Sequence, residues 1–154
     1  MYRIGRRFEE QLVRRFKKHG IDAIRVPLSG RSNPLLPRCD IIINFEDIEL
    51  KGQLKYSRSN NIVFKENEIK QLENKEIHFL CFAFYKKEPK FILNAGKYFV
   101  PNGNKVYKEG DNLKISQKNY NADYFIYKRY LILKVVDFNV FVDMIKNKII
   151  KTFM

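Results

Sequence analysis

Residues 77–85 read Ile-His-Phe-Leu-Cys-Phe-Ala-Phe-Tyr, an almost unbroken apolar run. Successive side chains of a strand point to opposite faces, so this run is expected of a central strand covered on both sides. The neighbouring sequence offers the covering layers. Ile4, Phe8, Leu12 and Phe16 recur every four residues with Glu, Arg and Lys between them, which predicts a helix over residues 4–19 with Gly20 as its stop. Residues 21–28 read as a strand ending at Pro27, and 29–37 as a polar loop rich in Arg and Pro. A hairpin over 40–54, a mobile basic connection over 54–61 and a second helix over 66–74 follow. Beyond residue 85, a short strand is expected at 91–93, turns and short hairpin strands over 94–121, and strand character over 124–136. Asp137 is placed to cap a last helix with Phe138, Phe141, Val142, Ile145 and Ile149 on one face. The order predicts an α/β fold: one domain over 1–154, its core over about 4–93 and a β-rich and helical C-terminal extension over 94–154.

Composition narrows the partners. An aromatic share of 14% argues against disorder, and the apolar runs are too short for a transmembrane helix. The first residues carry no apolar signal core, so an intracellular protein is expected. Cys39 and Cys81 are too few for a disulfide framework, and no CxxC spacing suggests zinc, so both read as reduced thiols. The formal charge is +13, and nine of the ten arginines fall before Asn60. Lysine-rich coding explains many lysines, whereas clustered arginines suit bidentate contact with phosphate. Nucleic acid is favoured over an acidic membrane surface because no basic amphipathic helix with a Trp-rich apolar face is present.

The stretch 38–53 carries the chemistry. Asp40 opens an apolar run that ends in the tetrad Asn44 to Asp47, and a second run then holds Glu49, Leu50 and Lys51. With period-two alternation Glu49 and Lys51 share a face and Leu50 points inward. Folding the runs into a hairpin is expected to return Glu49 and Lys51 toward Asp40, making a divalent-metal site with a charged helper. Glu46 and Asp47 read as the polar turn.

Asp40 followed by Glu49-Leu50-Lys51 resembles the core of the PD-(D/E)xK nucleases, with Cys39 standing where that pattern has proline. The flanking sequence resembles the archaeal and viral Holliday-junction resolvases in particular. Gly5-Arg6-Arg7-Phe8-Glu9 matches their Gly-x-x-x-Glu helix, and Arg25-Val26-Pro27-Leu28-Ser29-Gly30 matches their strand and Ser-Gly stretch. The metal Asp, the acidic-x-Lys strand and a helix after Ile62 to Glu66 follow in order. The resemblance covers residues 5–93, leaves 94–154 unmatched, and makes the hairpin shorter than usual in that family.

The resemblance implies a restriction-endonuclease-like core, a central mixed sheet flanked by helices, and a Mg²⁺-dependent DNA endonuclease (Mn²⁺ substituting) that cuts four-way junctions as a homodimer of archaeal or viral origin. Asp40 and Glu49, with the Leu50 carbonyl, would hold the metal. Lys51 would orient the attacking water or contact the phosphate. Glu9 would hold a water or second metal, with only its spacing from Gly5 choosing it over Glu10, and Ser29 would hydrogen-bond a phosphate oxygen. Arg6, Arg7, Arg31, Arg38, Lys55, Arg58 and Lys65 are the expected DNA contacts, with Lys65 or Gln71 as a further polar residue at the second helix. His19 and His78 lack metal-spaced companions and read as structural, and the stripe Phe79, Phe82, Phe84 and Tyr85 as core and interface. Two alternatives stand beside this reading: another PD-(D/E)xK nuclease acting on linear duplex, and a non-catalytic basic DNA-binding module of the same fold.

Overall fold

A computed structural model describes residues 2–27, 38–99 and 101–154, with side chains from Gly5 onward. Helix α1 spans Tyr2–Lys18. It ends where Ile21 N–H reaches the Phe16 carbonyl and Gly20 N–H the Lys17 carbonyl, both at 3.0 Å, with Gly20 at φ 76°. This crossed pair of bonds needs a left-handed residue at Gly20, as the sequence implied.

Strands β1 (Asp22–Arg25), β2 (Ile41–Phe45) and β3 (Ile48–Ser57) pair antiparallel in sequence. Strand β4 (Asn61–Phe64) leaves the sheet, and helix α2 (Glu66–Glu73) crosses over to β5 (Phe79–Phe84), which lies parallel to β3. Strands β6 (Lys90–Lys97), β7 (Lys105–Lys108), β8 (Leu113–Ser116), β9 (Tyr124–Tyr127) and β10 (Leu131–Asp137) precede helix α3 (Phe138–Lys146). Among the described residues, eight strands form one mixed sheet in the order β1-β2-β3-β5-β6-β10-β9-β7, and β4 and β8 pair as a separate ribbon.

The continuous apolar run is accounted for by two layers. Phe79 and Cys81 of β5 join the core beneath α1 and α3, packing with Phe16, Phe91 and Phe141. Leu80, Phe82 and Phe84 join the opposite core beneath α2 and the β4–β8 ribbon, with Ile69, Leu72 and Ile115. Asp137 caps α3 by accepting the Val140 N–H at 2.9 Å, as expected.

Several local expectations are corrected. The connection expected over 54–61 is strand as far as Ser57, because Gly52 to Ser57 pair along β5. The single stretch 124–136 is two strands, turned by Lys128 and Arg129 at φ 49° and 65°. Helix α3 stops at Lys146, so Ile149 is half-exposed in a short 3-10 turn and Ile150 is buried instead. The strands beyond residue 94 complete the main sheet through β6–β10 pairing, and the strand expected at 91–93 is the longer β6.

Candidate active site

The register of the β2–β3 hairpin decides which residues meet. Phe45 pairs with Ile48, leaving only Glu46 and Asp47 in the turn, and Glu46 adopts the left-handed φ of 52° that a tight turn needs. Glu49 then lies opposite Asn44, Lys51 opposite Ile42, and Gly52 opposite Ile41. Asp40 donates its N–H to the Gly52 carbonyl at 2.9 Å, so the next residue facing it is Gln53. Glu49 lies four residues back toward the turn, about 13 Å along the strand. The expectation that the hairpin returns Glu49 to Asp40 is therefore corrected. Glu46 and Asp47 form the turn as expected, and each residue of register beyond it is worth a full strand rise.

Asp40 itself is anchored. Its Oδ2 accepts the Leu54 N–H at 2.8 Å, and only 8% of the residue is exposed. The strand that receives it reads Gln53-Leu54-Lys55. Leu54 turns into the α1–α3 core, while Gln53 and Lys55 face α2. Gln53 Nε2 donates to the Arg38 carbonyl at 3.0 Å and to Gln71 Oε1 at 3.3 Å. Lys55 Nζ lies 3.2 Å from Glu68 Oε2 of α2. Lys55 thus sits half-buried on a paired strand, where a mobile surface connection was expected. The acidic-x-Lys shape recurs here with an amide in place of the acid. It lies four residues further from Asp40 than Glu49 does.

Gly52 explains how β3 packs so tightly at this point. A Cβ there would fall inside the Phe79 ring of the adjacent strand, so only glycine lets that ring lie across the backbone. His78 is structural in a specific way: Lys51 N–H donates to its Nδ1 at 2.9 Å, closing the end of the β3–β5 ladder. Burial, and then the Lys51 ammonium, hold its pKa below the usual value. Burial raises the Cys39 thiol to about 11, so it stays protonated and is a poor nucleophile at neutral pH.

Glu9 approaches from α1. Its Oε1 lies 2.9 Å from Arg25 Nε, and both side chains are about four-fifths buried. Arg25 pairs with Ile41 beside Asp40, and Val26 N–H donates to the Asp40 carbonyl at 2.9 Å, so Glu9 is held at the same corner of the sheet. Glu10 instead pairs with Arg6 on the solvent face at 3.1 Å. Ser29 and Arg31 lie outside the described residues.

Two basic surfaces adjoin this corner. A cleft of about 420 Å³ is lined by Arg38, Cys39, Lys51, Lys70 and Gln71. A groove of about 520 Å³ at the ends of β3 and β5 is lined by Arg7, Tyr56, Arg58, Tyr85, Lys86 and Lys87. There the Arg58 guanidinium stacks 4.5 Å over the Tyr85 ring. Lys65 is exposed at the start of α2.

The model of the archaeal Holliday junction resolvase family, Hjc, matches residues 1–124. The chain belongs to that family. The match extends past residue 93, where the sequence resemblance ended. No curated protein matches the chain. Among solved structures, Hjc from Archaeoglobus fulgidus, a Holliday junction resolvase from an archaeal hyperthermophile, superposes with a TM-score of 0.52 at 20% identity, covering 74% of this chain and 88% of that one. The fold is accordingly restriction-endonuclease-like, a large mixed sheet between helices. No helix among the described residues is long and apolar enough to cross a membrane.

Sequence reading did not single out Gln53 or Glu68, and it took Lys55 only as a DNA contact on a mobile connection. The available signal was Gln53-Leu54-Lys55 itself, whose alternation continues that of Glu49 to Lys51 without a break.

Proposed function

We propose that this chain is a metal-dependent endodeoxyribonuclease that resolves branched DNA, cutting four-way junctions as a homodimer with Mg²⁺ or Mn²⁺. Family membership supports the substrate class. The observation that carries the chemistry is the buried Asp40 carboxylate, fixed on the Leu54 N–H immediately before Lys55. A two-fold dimer would present one such site to each of the two equivalent strands of a junction.

The donors fit a hard divalent cation. The Asp40 carboxylate and the Gln53 amide oxygen are oxygen ligands of the kind Mg²⁺ and Mn²⁺ prefer. When bound, such a metal offsets charge on the phosphoryl oxygens and acidifies a coordinated water. In hydrolysis the water oxygen bonds to phosphorus, one P–O ester bond breaks, and the departing oxygen takes a proton. Lys55, rather than Lys51, is positioned to orient that water or steady the scissile phosphate. Lys51, Arg38 and Lys70 line the cleft beside it and would take flanking phosphates, with Arg7 and Arg58 serving the groove. Arg6 and Lys65 would extend this contact on the surface. Glu9 would orient a further water through the corner it shares with Arg25. For Ser29 and Arg31 we keep the phosphate contacts that the family resemblance implies.

Gln53 favours one second reading, a DNA-binding module that keeps the fold without cleaving, because an amide brings no negative charge to the metal. Incubation with labelled four-way junction and linear duplex, with and without Mg²⁺, separates the readings. Paired nicks confined to the junction, lost in Asp40→Asn and Lys55→Ala while binding persists, are expected. Cleavage of linear duplex at equal rate would reassign the substrate, and junction binding without any cut would favour the module.

A further inference from the structure

Among the described residues, two charged side chains are buried, Asp40 and Glu68, each 8% exposed. Burying a carboxylate is costly unless it is paired, so the placement of both on the same three residues of β3 calls for a reason. Asp40 Oδ2 accepts the Leu54 N–H at 2.8 Å, and Glu68 Oε2 lies 3.2 Å from Lys55 Nζ on the next residue. Gln71, three residues further along the same face of α2, reaches Gln53 at 3.3 Å. One helix face thus addresses both polar members of Gln53-Leu54-Lys55.

We propose that Glu68 supplies the second carboxylate of the metal site, delivered from α2 in place of an acidic residue on the strand. The inference rests on the reading of the Asp40 site given above. Asp40 alone would leave a divalent cation with one formal negative charge among its ligands, and the Gln53 amide adds none. Glu68, paired with Lys55 next to the Asp40-bound Leu54, restores the second charge. Its position is held independently of the metal, since Oε1 accepts the Lys65 N–H at 2.9 Å and so closes the first turn of α2. Capping alone does not require burial, and a solvent-facing glutamate would satisfy the same N–H. The ion pair with Lys55 adds a reason for the inward pose, because it lets one carboxylate hold the lysine and face the site together.

Manganese binding, followed by the loss of the free Mn²⁺ electron paramagnetic resonance signal, tests this without relying on turnover. Wild type, Asp40→Asn, Glu68→Gln and the double variant Gln53→Glu/Glu68→Gln are compared. Glutamine at 68 keeps an oxygen for the Lys65 N–H, so the helix start is retained, and a thermal melt on each variant verifies it. Glu68→Gln is expected to weaken Mn²⁺ binding by at least about tenfold, and adding Gln53→Glu to recover most of that loss. Wild-type affinity in Glu68→Gln, with binding lost in Asp40→Asn, would overturn the role of Glu68 and leave the site standing. A loss in Glu68→Gln that Gln53→Glu does not reverse would also overturn it. Unchanged affinity in Asp40→Asn would remove the underlying site and this inference together.

Discussion

Asp40 anchors the strand beside which its own strand begins: its Oδ2 accepts the Leu54 N–H at 2.8 Å, just beyond the last paired residues, Ile41 and Gly52. One carboxylate thereby closes the sheet where β2 and β3 part, on the residue immediately before Lys55. That relationship separates Lys55 from Lys51, which lies opposite Ile42 on the paired part of the hairpin.

Replacing the two lysines should therefore have unequal effects. Lys55→Ala is expected to slow junction cleavage by about a hundredfold or more, the scale of losing a positioned proton-transfer or charge-stabilising group. Lys51→Ala should slow it by less than about tenfold, as a flanking contact would. Single-turnover cleavage of labelled junction, with binding measured separately, reads the difference, and the reverse ranking would return the active lysine to position 51.

Gly52→Ala should be severely destabilising. The added methyl falls within the Phe79 ring, which is backed by Phe91 and Phe141 at centroid distances of 5.8 and 5.1 Å and has little room to retreat. Overpacking of this kind costs about 3 kcal/mol, seen as a lower urea midpoint at unchanged slope. A loss within experimental error would mean that the β3–β5 contact gives way readily.

Stability should respond to pH through His78. Burial, then Lys51, depress its pKa below the ordinary 6.5, with Glu49 opposing. The folded protein therefore binds fewer protons than the unfolded chain as the pH drops below about 6.5, so stability present above that value is lost as pH falls toward the depressed pKa. His78→Gln, which keeps an acceptor for the Lys51 N–H, should flatten this part of the curve. Urea midpoints at pH 7.5 and 5.5 provide the comparison.

DNA affinity should fall steeply with salt, since each phosphate neutralised releases counterions. Arg7→Ala and Arg58→Ala, at the groove beside Tyr85, should each reduce the log–log salt slope by about 0.9 for duplex arms and weaken binding alike across sequences. A slope unchanged in both variants would place the DNA elsewhere.

The local signals that proved legible were those written in periodicity and chain stops. The four-residue repeat through Phe8, Leu12 and Phe16 marked α1, Gly20 its end and Asp137 the start of α3. The apolar run through Phe79 to Phe84 demanded cover on both faces and has it. Such features depend on neighbours within a turn or two, so the chain carries them openly. The family resemblance was legible for a related reason, because its elements follow one another in order along the chain.

Register and cross-layer contact are of another kind. Lys55 and Ser57 look like loop residues one by one, and only pairing with β5, whose strand begins more than twenty residues later, holds them extended. A hairpin with a two-residue turn and one with a four-residue turn differ little in local preference, yet they place different side chains opposite Asp40. The pairing is chosen by burying Ile41, Ile43, Leu50 and Leu54 on one face together, a collective effect of the packed sheet. The sequence by itself determined that this chain builds a covered sheet with a basic, carboxylate-bearing hairpin. Only the tertiary structure decided that Asp40 meets Gln53-Leu54-Lys55 and that α2 brings Glu68 to them, because those meetings depend on contacts between segments far apart in the chain.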